Sequence, residues 1–199
     1  MTQNRNPMIF DRRDVVAQLV RKRRDLIAVS SLGSATYDLA AAGDHDRNFY
    51  LWGAMGGAIP LGLGLALAQP QTPVCVFAGD GEALMGMGSF ATVALQPATN
   101  LSIVILDNGV YGETGAQLSH TASAADLAGI ARACGIQNSF VVENEHDVEA
   151  LAESIHAVGS GPTVAVVKID DAEKPRCLPS RDGVFLKTRI RAALGFESM

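Results

Sequence analysis

Short apolar runs alternate with longer stretches of helical period along this chain. "LIAVSS" (26–31), "NFYLW" (48–52), "PVCVFA" (73–78), "LSIVIL" (101–106), residues 139–142 and "TVAVVKI" (163–169) read as strands. Several of them are apolar on both faces. Between them, helical patterns cover 12–24, 36–42, 54–68, 83–95, 124–134 and 147–158, and "GVFLKTRIRAAL" closes the chain as a further helix. Asp11 is placed to cap the first helix, with Val15, Val16, Leu19 and Val20 on its buried face. Strands buried on both sides and alternating with helices predict an α/β fold, a doubly wound parallel sheet with helices on both faces. With right-handed crossovers, the strand-to-helix turns share the carboxyl rim, where open α/β sheets bind ligands. Three glycine-marked turns fall there: Gly33, 53–57 and Gly79–Gly81.

Length and composition narrow the class without naming a function. The 199 residues suit one domain, 1–199, with no internal repeat or linker. A net charge of −5 argues against a nucleic-acid partner. The basic residues at 12–13 and 21–24 are interleaved with Asp11, Asp14 and Asp25 and read as a solvated helix face. "MTQNRNPMIFDRRD" lacks the apolar core of a signal peptide, and the most apolar stretch, 54–68, is too short to span a bilayer. A cytoplasmic location with no membrane partner is expected. Cys75, Cys134 and Cys177 form no CxxC pair, so neither a disulfide framework nor a zinc site is indicated.

Candidate chemistry begins at "VFAGDGEALMGMGSF". Gly79-Asp80-Gly81 leaves a strand and enters a helix, a place suited to phosphate. An acid there repels phosphate unless a cation intervenes. Alone, the tripeptide is an ordinary turn. Asn108, however, ends the next apolar strand 28 positions later (108 − 80), one strand–helix–strand unit away. The Asp80 carboxylate, the Asn108 side-chain carbonyl and the Val110 backbone carbonyl could offer three oxygens to one hard cation such as Mg²⁺.

This pattern resembles the diphosphate-binding domains of thiamine diphosphate enzymes, whose motif is GDG followed by Asn at the end of an apolar strand. The resemblance implies thiamine diphosphate and Mg²⁺ as cofactors, with Asp80, Asn108 and Val110 holding the metal. "WGAMGGA" looks like the family's Gly-x-hydrophobic-Gly turn. By that likeness the Gly53 carbonyl and Ala54 lie at the cofactor, and Met55 wedges between its two rings, although a plain core residue would explain Met55 too. Gly33, Ser34 and Thr36 in "SLGSAT" stand where the family adds diphosphate contacts, although a helix cap explains them too. Gly79, Gly81, Glu82, Tyr111, Gly112 and Glu113 complete the expected cofactor set. Met55, Glu113 and His120 are the candidates for the chemistry, and Gln117 for substrate contact. His120 is also readable as an exposed loop residue; His45, His146 and His156 read as surface.

Enzymes of the family pair this domain with a pyrimidine-binding domain whose glutamate activates the cofactor. The resemblance therefore implies a pyrimidine-domain partner subunit and a hetero-oligomer with two copies of each chain or more. "NFYLWGAMGGAIPLGLGLALA" and "LDNGVYGETGAQ" look most like the sulfopyruvate and phosphonopyruvate decarboxylase group, which takes a small 2-oxo acid to an aldehyde and CO₂. One departure is Tyr37, where the group tends to carry a basic residue; it favours a less charged 2-oxo acid. Carboligation of the same substrate class and a catalytically inactive regulatory subunit stay open as alternatives.

Overall fold

The two-faced apolar runs become the strands of one sheet, in a computed structural model that describes residues 8–96 and 98–196. In chain order the strands are β1 (Ile27–Ser30), β2 (Asn48–Tyr50), β3 (Val74–Gly79), β4 (Leu101–Asp107), β5 (Val110–Tyr111), β6 (Gln117–Leu118), β7 (Asn138–Val142) and β8 (Thr163–Lys168). Six of these pair in parallel in the order β2-β1-β3-β4-β8-β7, while β5 and β6 form a separate antiparallel ribbon. The helices are α1 (Arg12–Val20), α2 (Ser34–Ala41), α3 (Ala58–Ala68), α4 (Asp80–Met85), α5 (Gly88–Ala94), α6 (Leu127–Ala133), α7 (Glu145–Ser154) and α8 (Gly183–Ala193).

Strand side chains alternate between two cores, as the period of two requires. Ala28, Cys75, Phe77, Val104 and Val167 meet α1, α2 and α7 on one face. Ile27, Val29, Val76, Ile103 and Val164 meet α3, α5 and α6 on the other. Helix α8 contributes Leu186 to the first core and Ile190 to the second, and it packs on the edge strand β2. That edge, a hazard when left open, is thereby covered. No helix among the described residues is long and apolar enough to cross a membrane. Of the amino-terminal stretch read for a signal sequence, 1–14, residues 1–7 lie outside the described residues.

Three local expectations need correction. The first helix stops at Val20 instead of running to 24, because Arg23 turns back to donate to the Leu26 carbonyl from Nε (3.1 Å) and Nη2 (2.7 Å) and to Asn48 Oδ1 from Nη1. The basic cluster is only partly a solvated face. Arg21, Lys22 and Arg24 are exposed, but Arg12 is buried with its Nη1 2.7 Å from Asp38 Oδ2, and Arg13 Nε reaches the other Asp38 oxygen at 3.2 Å. Burial draws the Arg23 guanidinium down to about 10. Finally, the helix expected over 83–95 is two helices, and the first starts at Asp80 itself. The break lies at Gly86, whose backbone touches that of Gly56: a Cβ on Gly86 would stand 2.4 Å from the Gly56 oxygen.

Candidate functional site

Strand order reverses between β1 and β3, since the chain steps outward to β2 and then returns to the far side of β1. In doubly wound sheets that switch point is where a ligand crevice opens at the carboxyl rim. Here β1 feeds α2 through Gly33 and β3 feeds α4 through Gly79, and no side chain caps either helix start. Gly33 holds φ +80°, which a side chain would resist. Two helix amino termini that lack a side-chain cap thus open on one cleft. Its lining includes Gly33, Ser34, Met55, Gly79, Asp80, Gly81, Glu82, Asn108, Val110, Tyr111, Gly112 and Glu113, around a cavity of about 120 Å³. An adjoining cavity of about 400 Å³ shares Ser34, Asn108, Val110, Gly112 and Glu113 with it.

The parallel register sets Gly79 opposite Leu106, so Asp80 and Asp107 leave adjacent strands together. Asp80 is 2% exposed. Ser119 Oγ donates to its Oδ2, and Thr121 Oγ1 lies 2.9 Å from the same oxygen. Thr121 Oγ1 is also 2.7 Å from Asp107 Oδ1, while Lys168 Nζ holds Asp107 Oδ2 at 2.5 Å. Desolvation pushes the Asp80 carboxyl up, the Ser119 hydrogen bond opposes this, and the nearby Asp107 adds to it. Asn108 Oδ1 accepts from the Val110 amide at 3.1 Å, which fixes the turn leading into the ribbon. Among the described residues, no three His, Cys, Asp or Glu side chains gather as a metal site. The expected cation ligands contain a single carboxylate.

The second half of the cleft is the turn before α3. Gly53, Ala54 and Gly56 all have positive φ (82°, 51° and 89°), and Met55 projects at 37% exposure into the cleft lining. Glu82 holds this turn in place. Its Oε1 accepts from the Ala58 amide at 3.1 Å, at the amino end of α3, and the Gly56 amide also favours its charged form. Its Oε2 is buried without a hydrogen-bond partner among the described residues. Desolvation raises the Glu82 carboxyl above its ordinary value. Gly81 leaves room for the Tyr111 ring, which a Cβ would meet at 2.3 Å.

Several sequence candidates fall elsewhere. Thr36 is fully buried and its hydroxyl bonds Ser30 Oγ (2.7 Å) and the Ser31 carbonyl, so it ties α2 to β1 and lines neither cavity. Gly53 and Ala54 shape the Met55 turn without lining either cavity. His120 is exposed and lines neither cavity; its neighbours Ser119 and Thr121 reach Asp80 instead. Gln117 is spent on Thr114, through its carbonyl and Oγ1. His45 and His146 are exposed, whereas His156 is half-buried with Nε2 3.0 Å from the Leu19 carbonyl. Glu113 lies against Gly33, and Arg176 stands 3.7 Å from its carboxylate and 5.6 Å from the centroid of the Tyr37 ring. A cation from residue 176 therefore covers the tyrosine found where a basic residue was expected.

With this geometry in hand, comparison with known proteins is informative. Residues 31–169 match the family model of the thiamine pyrophosphate enzyme C-terminal TPP binding domain. Phosphonopyruvate decarboxylase of Streptomyces viridochromogenes is 39% identical over 163 residues, covering 79% of this chain and 40% of that protein. Sulfopyruvate decarboxylase subunit beta of Methanococcus maripaludis is 31% identical over 168 residues, covering 84% of this chain and 90% of that subunit. The chain spans two fifths or less of the first curated relatives it matches. Among solved structures, a putative thiamin diphosphate-dependent enzyme from Mycobacterium smegmatis superposes with a TM-score of 0.69 at 24% identity, over 86% of this chain and 35% of that one. That likeness concerns the fold.

Proposed function

The chain belongs to the thiamine pyrophosphate enzymes, as a C-terminal TPP-binding domain, and on that footing we propose that it is the diphosphate-binding subunit of a Mg²⁺-dependent 2-oxo acid decarboxylase. The substrate is a small 2-oxo acid of the sulfopyruvate or phosphonopyruvate type, converted to an aldehyde and CO₂. Names of relatives at 31–50% identity support the substrate class. The observation that carries the reading is Asp80: a buried carboxylate that lines one cleft with Asn108, at a helix start left uncapped.

The residues present fit the cofactor. The uncapped starts of α2 and α4 supply N–H donors for a diphosphate, at Ser34 and Gly81 among others. A carboxylate among those donors is unfavourable unless it holds a cation, and Asp80, Asn108 and the Val110 carbonyl make an oxygen-only set of the kind Mg²⁺ takes together with phosphate oxygens. Gly53 and Met55 would hold the cofactor's rings, with the Met55 turn fixed by Glu82. Bound thiamine diphosphate supplies the electron sink for loss of CO₂. The chain's own part is to bind, orient and keep the cleft dry.

The active site is shared with a pyrimidine-domain partner subunit, which supplies the activating glutamate, in a cytoplasmic hetero-oligomer. Alignment over 90% of a protein named as a beta subunit supports this arrangement. So do three exposed methionines, Met55, Met85 and Met87, that flank the Gly56–Gly86 contact beside the cleft. Asp80→Ala is expected to abolish Mg²⁺-dependent thiamine diphosphate binding in calorimetry while the circular dichroism spectrum stays that of the parent. Unchanged cofactor affinity in that variant would refute the assignment. With the partner subunit present, CO₂ release from sulfopyruvate, phosphonopyruvate and pyruvate ranks the substrates.

A further inference from the structure

Both hydroxyls that reach Asp80 address one oxygen. Ser119 Oγ donates to Oδ2, Thr121 Oγ1 is 2.9 Å from it, and the two hydroxyls are 2.8 Å apart. Ser119 is 4% exposed and Asp107 3%, so most of this network is shut off from solvent. Proton bookkeeping is tight. Ser119 and Thr121 carry one hydroxyl hydrogen each, yet two carboxylates compete for them. Thr121 Oγ1 is within reach of both Asp80 Oδ2 and Asp107 Oδ1. Asp107 has other donors: Lys168 Nζ at 2.5 Å on Oδ2 and the Gly109 amide at 3.1 Å on Oδ1. Thr121 Oγ1 thus bridges the two carboxylates, and its one hydrogen can be given to either.

We propose that Ser119 and Thr121 are positioning residues for the cation-binding carboxylate, with Thr121 bridging it to the Asp107–Lys168 pair. Two hydroxyls on Oδ2 hold the carboxylate plane and leave Oδ1 free of hydroxyl partners among the described residues, for the metal. Lys168 neutralises the neighbouring acid, so one net negative charge faces the cation instead of two. Loss of a partner that orients a metal ligand in this way typically costs about 10–100-fold in affinity. The inference rests on the Mg²⁺-dependent reading given above.

The test is calorimetric titration of Mg²⁺ into the full chain at a fixed, saturating concentration of thiamine diphosphate, for the parent, Ser119→Ala, Thr121→Val and Thr121→Ser. Each hydroxyl deletion is expected to weaken Mg²⁺ binding by about 10-fold or more, while Thr121→Ser recovers most of the loss. The melting temperature without metal or cofactor separates this from a packing defect: Thr121→Val and Thr121→Ser should differ in Mg²⁺ affinity far more than in stability. If Thr121→Val does not fold, Ser119→Ala interrogates the same carboxylate oxygen. Parent-like Mg²⁺ affinity in Ser119→Ala and Thr121→Val would overturn the positioning role and leave the Mg²⁺ site standing. Thr121→Ser as weak as Thr121→Val would overturn it too. A parent chain that binds neither Mg²⁺ nor thiamine diphosphate would overturn both this inference and the function it rests on.

Discussion

Gly86→Ala tests whether the two halves of the cleft are joined through main-chain contact. The backbone at Gly86 is permissive, at φ −100° and ψ 21°, so alanine meets no local strain. Its Cβ would lie 2.4 Å from the Gly56 carbonyl oxygen and 2.7 Å from the Gly56 Cα. Both atoms are main chain, and no flexible side-chain tip can yield. The turn and α4 must part. Overpacking of this kind costs about 1–3 kcal/mol, and each kcal/mol lowers Tm by roughly 2–4 °C in a chain of this size. Gly88→Ala is the matched control: it is two residues on, at the start of α5, and nothing stands within 4 Å of its Cβ. There, alanine is expected to be neutral or stabilising by up to about 1 kcal/mol. Circular dichroism melts of the two variants give the comparison, and the emission of Trp52, the one tryptophan, reports on the displaced turn. A Gly86→Ala protein that melts with or above Gly88→Ala, with parent emission, would refute the contact.

Two further outcomes follow from buried charge. Asp38→Asn leaves Arg12 buried with half its ion pair gone and is expected to cost about 3–5 kcal/mol in urea unfolding; a loss below about 1 kcal/mol would show that the pair is idle. Glu82 carries a pH signature. Burial raises its carboxyl above the ordinary 4.5, so the folded chain holds a proton that the unfolded chain has released. Its contribution is therefore most favourable in acid and is lost as pH climbs from about 4.5 through the raised value. Relative to the parent, Glu82→Gln should gain stability steadily across that window, and a flat or falling difference would contradict the assignment.

Most of the sheet was readable in the sequence because burial on both faces leaves continuous apolar runs, as in "LSIVIL" and "TVAVVKI". The Asp80–Asn108 pairing was readable for a related reason: one strand–helix–strand unit has a nearly fixed length, and the register of β3 on β4 is its consequence. What escaped is settled at long range. Arg12 looks like a surface cation until Asp38, 26 positions away, is folded against it. Ser119 and Thr121 lie on a short loop of exposed residues with no period, and His120 between them draws attention by its chemistry while pointing elsewhere. Thr36 fits a phosphate loop by position, but its hydroxyl is consumed by β1. The break at Gly86 belongs to a contact with residue 56, which no local window contains.

The reach of Glu82 to the start of α3 has a mechanical consequence. Together with the Gly56–Gly86 contact it bolts the Met55 turn to the helix that carries Asp80, so these two walls are braced as one unit. The opposing wall is built differently. Gly112 and Glu113 hang on β5 and β6, a ribbon two residues long per strand whose loop and second strand are exposed from Gly112 to Leu118. Whatever enters or leaves the cleft meets a cross-braced wall on one side and a short, exposed ribbon on the other.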